Sequence, residues 1–226
     1  DVSRKWLMGE EITQSSGSLF AIRDMYKPEC FNNPGDTWSD SFYCSSGDNG
    51  GVHYNSGVAN RLFAVLVDGG IYVNATDGSH INITAIGMTK SLNIMWAAQL
   101  QMVSTSQFMD FGNILKTQCR AKIGSTLFEP NIATGDTITS VEVFTSDDCD
   151  ILDDAVAGSG LLRTYGDICN IAPTDAPTAR PDGLSCDVAN PNWIADGWCD
   201  WESGGYNTAG CDWGESDYDC QTMYCI

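Results

Sequence analysis

The stretch "SSGDNGGVHYNSG", residues 45–57, holds one of only two histidines in a chain of 226 residues. Glycines stand on both sides of an acid–amide pair, then come the histidine and Asn-Ser-Gly. The next residues are largely apolar, with Val58, Leu62, Val65 and Leu66 on one face of a predicted helix. Gly69-Gly70 ends that helix. The stretch is therefore a polar, Gly-rich loop leading into a helix, with Asp48 five residues before His53. A carboxylate near a histidine can accept the Nδ1 proton, orient the ring and favour its protonated form, in which the other nitrogen also donates, here to developing negative charge. The same spacing also suits a plain surface loop in which both side chains are merely solvated.

Around this stretch, the segment up to about residue 157 reads mainly helical. Thr89 can cap a long helix with Leu92, Trp96, Leu100 and Val103 inward. Ser106 can cap another, with Phe108, Phe111 and Leu115 inward. Ser146 starts a last helix, and Asp147, Asp148 and Asp150 sit at the positive end of its dipole. Residues 71–84 predict a loop or short hairpin, and strands are expected within 123–144. Residues 170–185, "NIAPTDAPTARPDGLS", have linker composition. The expected organisation is a helical domain over 1–169, a linker over 170–185 and a small disulfide-rich module over 186–226.

A formal net charge of -19 repels nucleic acid and anionic membranes, which excludes both as partners. No apolar run reaches the roughly 18 residues that a membrane-spanning helix needs. Ten cysteines without a C-x-x-C weaken redox and zinc-ribbon readings. Asn74 and Asn82 each head an Asn-x-Thr sequon. Together they point to a secreted, oxidised, glycosylated chain with about four or five disulfides. The start at Asp1 rather than Met reads as a processed chain. Cys30–Cys44 would close the loop before His53, and Cys119–Cys149 would tie two helices.

"DNGGVHYNSGVANRLF" resembles the segment of thermolysin-like zinc metallopeptidases that carries their transition-state histidine. "WLMGEEI" resembles the stretch after that family's third zinc ligand, and "SLFAIRDMYKP" its segment with a substrate-binding arginine. "AIGMTKSLNIMWAAQLQMV" is similar to its helical C-terminal subdomain. The resemblance covers roughly residues 5–157. It implies that His53 hydrogen-bonds the oxyanion of a tetrahedral intermediate, that Asp48 orients it, and that Arg23 binds the substrate carbonyl. Met8, Ile12 and Ile22 fall where the family builds its pocket for the side chain after the cut bond. Ordinary core packing would account for them equally well. Asn55 and Asn60 are read as holding the loop and helix start. Only Glu10 matches an acid of the family's calcium cluster. Lys5 and Leu7 stand where acids are expected, so the chain departs from the family's pattern there.

The family binds zinc on H-E-x-x-H with a Glu from the next helix. No H-E-x-x-H occurs in this chain, and its other histidine is His80. Two arrangements are compatible with this. In one, the chain works with a partner fragment that carries the zinc site and acts on peptide substrates. In the other, it is an inactive extracellular structural or adhesion protein that keeps the protease fold. The presence of His53, Asp48 and Arg23 together favours the first. It implies that the faces near residues 1–25 and 48–58 are unusually apolar.

The tail, residues 186–225, packs cysteines among Trp, Gly and acids. "DGWCD", "YNTAGCDW" and "DYDC" resemble the Notch-type calcium-binding repeat. Tyr206 stands where that module often has a cysteine. The resemblance implies Cys199–Cys211 and Cys186–Cys220 pairs. Asp200, Asn207, Asp217 and Asp219 are the calcium-ligand candidates, because calcium takes several oxygens. Cys169–Cys225 is left by elimination.

Overall fold

The computed structural model describes residues 4–9, 12–13, 19–74, 77–131 and 133–169. The linker, the tail module and Glu10 lie outside them, and with them Asp200, Asn207, Asp217 and Asp219 and the Cys186–Cys220 and Cys199–Cys211 pairs. The described residues belong to two compact units, one including residues up to Asn32 and one spanning Asn33–Cys169. The protein is mainly α, as its periodicity predicts.

In the first unit, β1 (Leu7–Met8) pairs antiparallel with β4 (Arg23–Asp24), and β2 (Ile12–Thr13) pairs with β3 (Leu19–Phe20). A short 3-10 helix, Pro28–Phe31, comes next. Asp24 accepts from the N–H groups of Tyr26 and Lys27 and so fixes the entry to that turn.

The second unit is built on helices α1 (Asp48–Asp68), α2 (Met88–Gln99), α3 (Phe108–Ala121), α4 (Ser146–Gly158) and the short α5 (Tyr165–Cys169). Hairpin β5–β6 (Gly70–Val73, His80–Ile83) joins α1 to α2, and hairpin β7–β8 (Thr126–Pro130, Thr137–Val143) joins α3 to α4. Helix α2 packs on α1 and α3, α4 packs on α1, α3 and the first hairpin, and the second hairpin lies against α2. Val58, Leu62, Val65 and Leu66 are all buried, with Phe111 and Leu115 across the core. Gly158 admits the fully buried Tyr72, since a Cβ there would lie 2.8 Å from the ring.

Helix α2 turns the other way from its expected face. Trp96 is 60% exposed and Leu100 64%, and Leu92 is also open, while Ser91, Ile94, Ala97 and Ala98 are buried. Val103 lies beyond the helix altogether. The apolar residues of this helix surround it almost evenly, so periodicity alone offers two faces. The small Ser91, Ala97 and Ala98 let α2 approach α1 and α3 closely, and that packing wins. Gly87, rather than Thr89, precedes its first turn.

The disulfide pattern also differs from expectation. Cys44 pairs with Cys169, which rules out both Cys30–Cys44 and Cys169–Cys225. Cys30 is disulfide-bonded, but not to Cys44. Cys119 pairs with Cys149 and ties α3 to α4. No cysteine is free among the described residues. Helix α5 explains the first correction. It brings Cys169 within a Cα–Cα distance of 5.5 Å of Cys44, and the Tyr165 hydroxyl donates to the Cys44 carbonyl at 2.7 Å.

Helix α4 starts on a capping box. Thr145 Oγ1 accepts from the Asp148 N–H, and the Asp148 carboxylate accepts from the Thr145 N–H. Lys90 Nζ donates to both Asp148 oxygens at 2.9 and 2.8 Å, joining α2 to α4. Burial alone would raise the Asp148 carboxyl, but the hydrogen bonds from Lys90 and Thr145 outweigh it and hold its pKa below the ordinary value. A carboxyl whose folded pKa is depressed stabilises fully above an unfolded pKa of about 3.9 and loses that contribution as pH falls through the folded value. Asp148→Asn should therefore cost about 1–3 kcal/mol in denaturant melts at pH 7. The gap to the unsubstituted protein should narrow below about pH 4. Replacing Cys44 and Cys169 together by Ser should cost about 3–5 kcal/mol, because that bridge spans 125 residues.

Candidate active-site histidine

His53 lies in the first right-handed turn of α1 rather than in a free loop, and the chain reaches it through an unusual turn. Asp48 and Asn49 have φ of +50°, Gly50 of +83° and Gly51 of +79°. Four successive residues thus wind in the left-handed sense before Val52 begins the ordinary helix. Glycine adopts this at no steric cost, and Asn and Asp tolerate it better than other residues. The Gly50 and Gly51 N–H groups both return to the Gly47 carbonyl, at 2.9 and 3.1 Å.

The left-handed turn folds Asp48 back over the helix start. Its Oδ2 accepts from the His53 N–H at 2.9 Å, capping the first turn. Its Oδ1 accepts from His53 Nδ1 in a short hydrogen bond. The carboxylate therefore fixes both the backbone and the ring of one residue. The His53 side chain is 74% exposed and that of Asp48 22%. An imidazole held at Nδ1 keeps its proton there and presents Nε2 outward.

Val52 and Tyr54, on either side of His53, are about half exposed. A half-open cavity of about 610 Å³ adjoins the turn, lined by Asn49, Val52, Asn55, Met95, Phe108 and Ile168 among others. His53 is not among its lining residues.

Arg23 belongs to the other unit, on β4 opposite Met8. Met8 and Ile22 are about half exposed, so neither is a core residue, and the Ile22 N–H donates to the Met8 carbonyl at 2.7 Å. Ile12 lies on β2 opposite Phe20. Asn74 opens the turn of the first hairpin, and its N–H donates to the Ser79 carbonyl. Asn82 is exposed on β6. Asn60 sits within α1.

Asn55 stands out in the sequence as a brace for the turn, whereas Tyr43 does not. The Asn55 carboxamide bonds Tyr43 twice, accepting from its N–H at 2.8 Å and donating to its carbonyl at 2.9 Å. The run Asn49-Gly50-Gly51 is a usable signal, since it announces left-handed backbone that something must brace.

Zinc does not fit these residues. No group of three or more His, Cys, Asp or Glu side chains able to hold a metal occurs among the described residues. His53 is committed to Asp48, and His80 sits apart on β6. No described helix is long and apolar enough to cross a membrane.

Residues 2–134 match the thermolysin metallopeptidase alpha-helical domain. The chain is 30% identical over 129 residues to a zinc metalloproteinase of Renibacterium salmoninarum, covering 54% of this chain and 22% of that protein. It is 36% identical over 93 residues to a bacillolysin of Brevibacillus brevis, covering 41% of this chain and 16% of the relative. With a thermolysin of Alicyclobacillus acidocaldarius subsp. acidocaldarius it shares 31% over 127 residues, 56% of this chain and 22% of the relative. The chain thus spans about a fifth of the length of these curated relatives. Its left-handed Asp-Asn-Gly-Gly turn and the histidine it orients lie within the matched region, and the chain belongs to the thermolysin metallopeptidase family through its alpha-helical domain.

Proposed function

We propose that this chain supplies the oxyanion-binding histidine of a zinc metalloendopeptidase. The zinc ligands and general base come from polypeptide outside these residues. The observation that carries this reading is the Asp48–His53 contact, with the ring anchored at Nδ1 and most of the side chain exposed. As a peptide carbonyl is attacked, negative charge develops on its oxygen. A donor already aimed at that position stabilises the charge without reorganising at the moment of reaction. His53 Nε2–H is that donor, and Asp48 holds it and balances positive charge on the ring. By resemblance, Arg23 binds the substrate carbonyl, and Met8, Ile12 and Ile22 receive the hydrophobic side chain after the cut bond. The openness of Met8 and Ile22 suits that role.

The same reading takes the protein as secreted and glycosylated at Asn74 and Asn82, which the paired cysteines favour. The tail module would bind calcium through Asp200, Asn207, Asp217 and Asp219 and serve in docking rather than catalysis.

In the assembly with its zinc-bearing partner, His53→Ala should lower kcat for peptide hydrolysis by roughly 10²–10³-fold with little change in KM. Asp48→Asn should act in the same direction, less strongly. An unchanged kcat in His53→Ala would remove this histidine from the mechanism.

A further inference from the structure

Asn55 sits two residues past His53 on the inner side of α1 and is only 5% exposed. Its Oδ1 accepts from Tyr43 N–H, and its Nδ2 donates to the carbonyls of Tyr43 at 2.9 Å and Gly50 at 3.4 Å. A planar carboxamide is suited to offering one acceptor and two donors together. Leucine has the shape without the bonds, and aspartate has only the acceptors. Through Gly50, Asn55 therefore grips the left-handed turn itself.

Tyr43 holds the same turn from its other side. A Cβ on Gly51 would lie 2.7 Å from Tyr43 Cβ and Cδ1, so the tyrosine occupies the space that the glycine leaves. The Tyr43 ring stacks on Tyr54, with centroids 5.4 Å apart and planes 10° from parallel. Tyr43 is itself fixed by its neighbour, since Cys44 is bridged to Cys169. The turn needs such support. Asp48 and Asn49 stand at positive φ, where a side chain is strained, and strained backbone persists only where its surroundings over-determine it.

We propose that Asn55 and Tyr43 are positioning residues for His53. They hold the left-handed turn in the one form that delivers the Asp48 carboxylate to Nδ1. The catalytic consequence rests on the proposed role of His53, whereas the bracing itself rests on the bonds within this unit.

The full chain has two histidines, so ¹⁵N-histidine labelling reads His53 with His80 as an internal reference. Long-range ¹H–¹⁵N spectra, recorded where the rings are neutral, report which nitrogen carries the proton. Unsubstituted His53 should be the Nδ1–H form. Asn55→Asp and Asn55→Leu should shift more than half of His53 toward the Nε2–H form, as Asp48→Asn also should, while His80 and the far-ultraviolet circular dichroism stay unchanged. Tyr54→Ala removes only the stack on a half-exposed ring, so it keeps the test alive if the Asn55 variants do not fold. It should move His53 the same way by a smaller amount. His53 unchanged in the folded variants, or His53 and His80 moving together, would overturn the proposal. Loss of the catalytic role in the kinetic test would leave this readout as it is, so the two failures are distinguishable.

Discussion

The interaction on which the rest depends is the double grip of Asp48 on His53, and it exists only because four successive residues wind left-handedly. A right-handed continuation from Gly47 would carry Asp48 around the helix and away from the imidazole. The sequence meets this need at the two most permissive positions with Gly50 and Gly51, and at the other two with Asp48 and Asn49. One carboxylate then does two things, capping the helix that carries His53 and orienting its ring. The orientation of His53 and the start of α1 are thus a single structure, and a change that loosens one loosens the other.

Around that turn the second unit is arranged as a rigid support. Helix α1 runs into the core through Val58, Leu62, Val65 and Leu66, so its direction is set by burial rather than by the exposed end that bears the histidine. The Cys44–Cys169 bridge pins the segment just before the turn to α5. Cys119–Cys149 and the Lys90–Asp148 pair lock α3 and α2 to α4. Each tie reaches across a long stretch of chain and restricts the unfolded ensemble or offsets the burial of a charge. The result is a side chain that is mostly solvent-exposed yet held by Asp48, as the proposed role of a preorganised donor requires.

Much of this was legible in the sequence, and where it was not the reason is physical. Helix α1 and its inward residues followed from period and from Gly69. The start of α4 at Ser146 followed from its acids, and Thr145 caps it. Residue types and spacing alone left the Asp48–His53 pairing open against a plain solvated loop, and the resemblance of the segment to the thermolysin-like one favoured it. The face of α2 did not, because large apolar residues surround that helix and only the close approach permitted by Ser91, Ala97 and Ala98 decides between them. The Cys44–Cys169 pairing depends on where α5 returns, a long-range fact that spacing does not encode. Tyr43 carries no chemical signature of its own. Its part comes from the empty space at Gly51 and the carboxamide of Asn55, which only the folded chain brings to it.

The chain is, on the proposed reading, one contributor to a zinc peptidase whose metal ligands lie outside its 226 residues. The most direct measurement is the zinc content and peptide map of the native protein, captured under non-denaturing conditions with an antibody to this chain. One zinc per copy is expected, accompanied by a peptide containing H-E-x-x-H that no part of this sequence explains. A native protein that carries no zinc and no such peptide would contradict the proposed role.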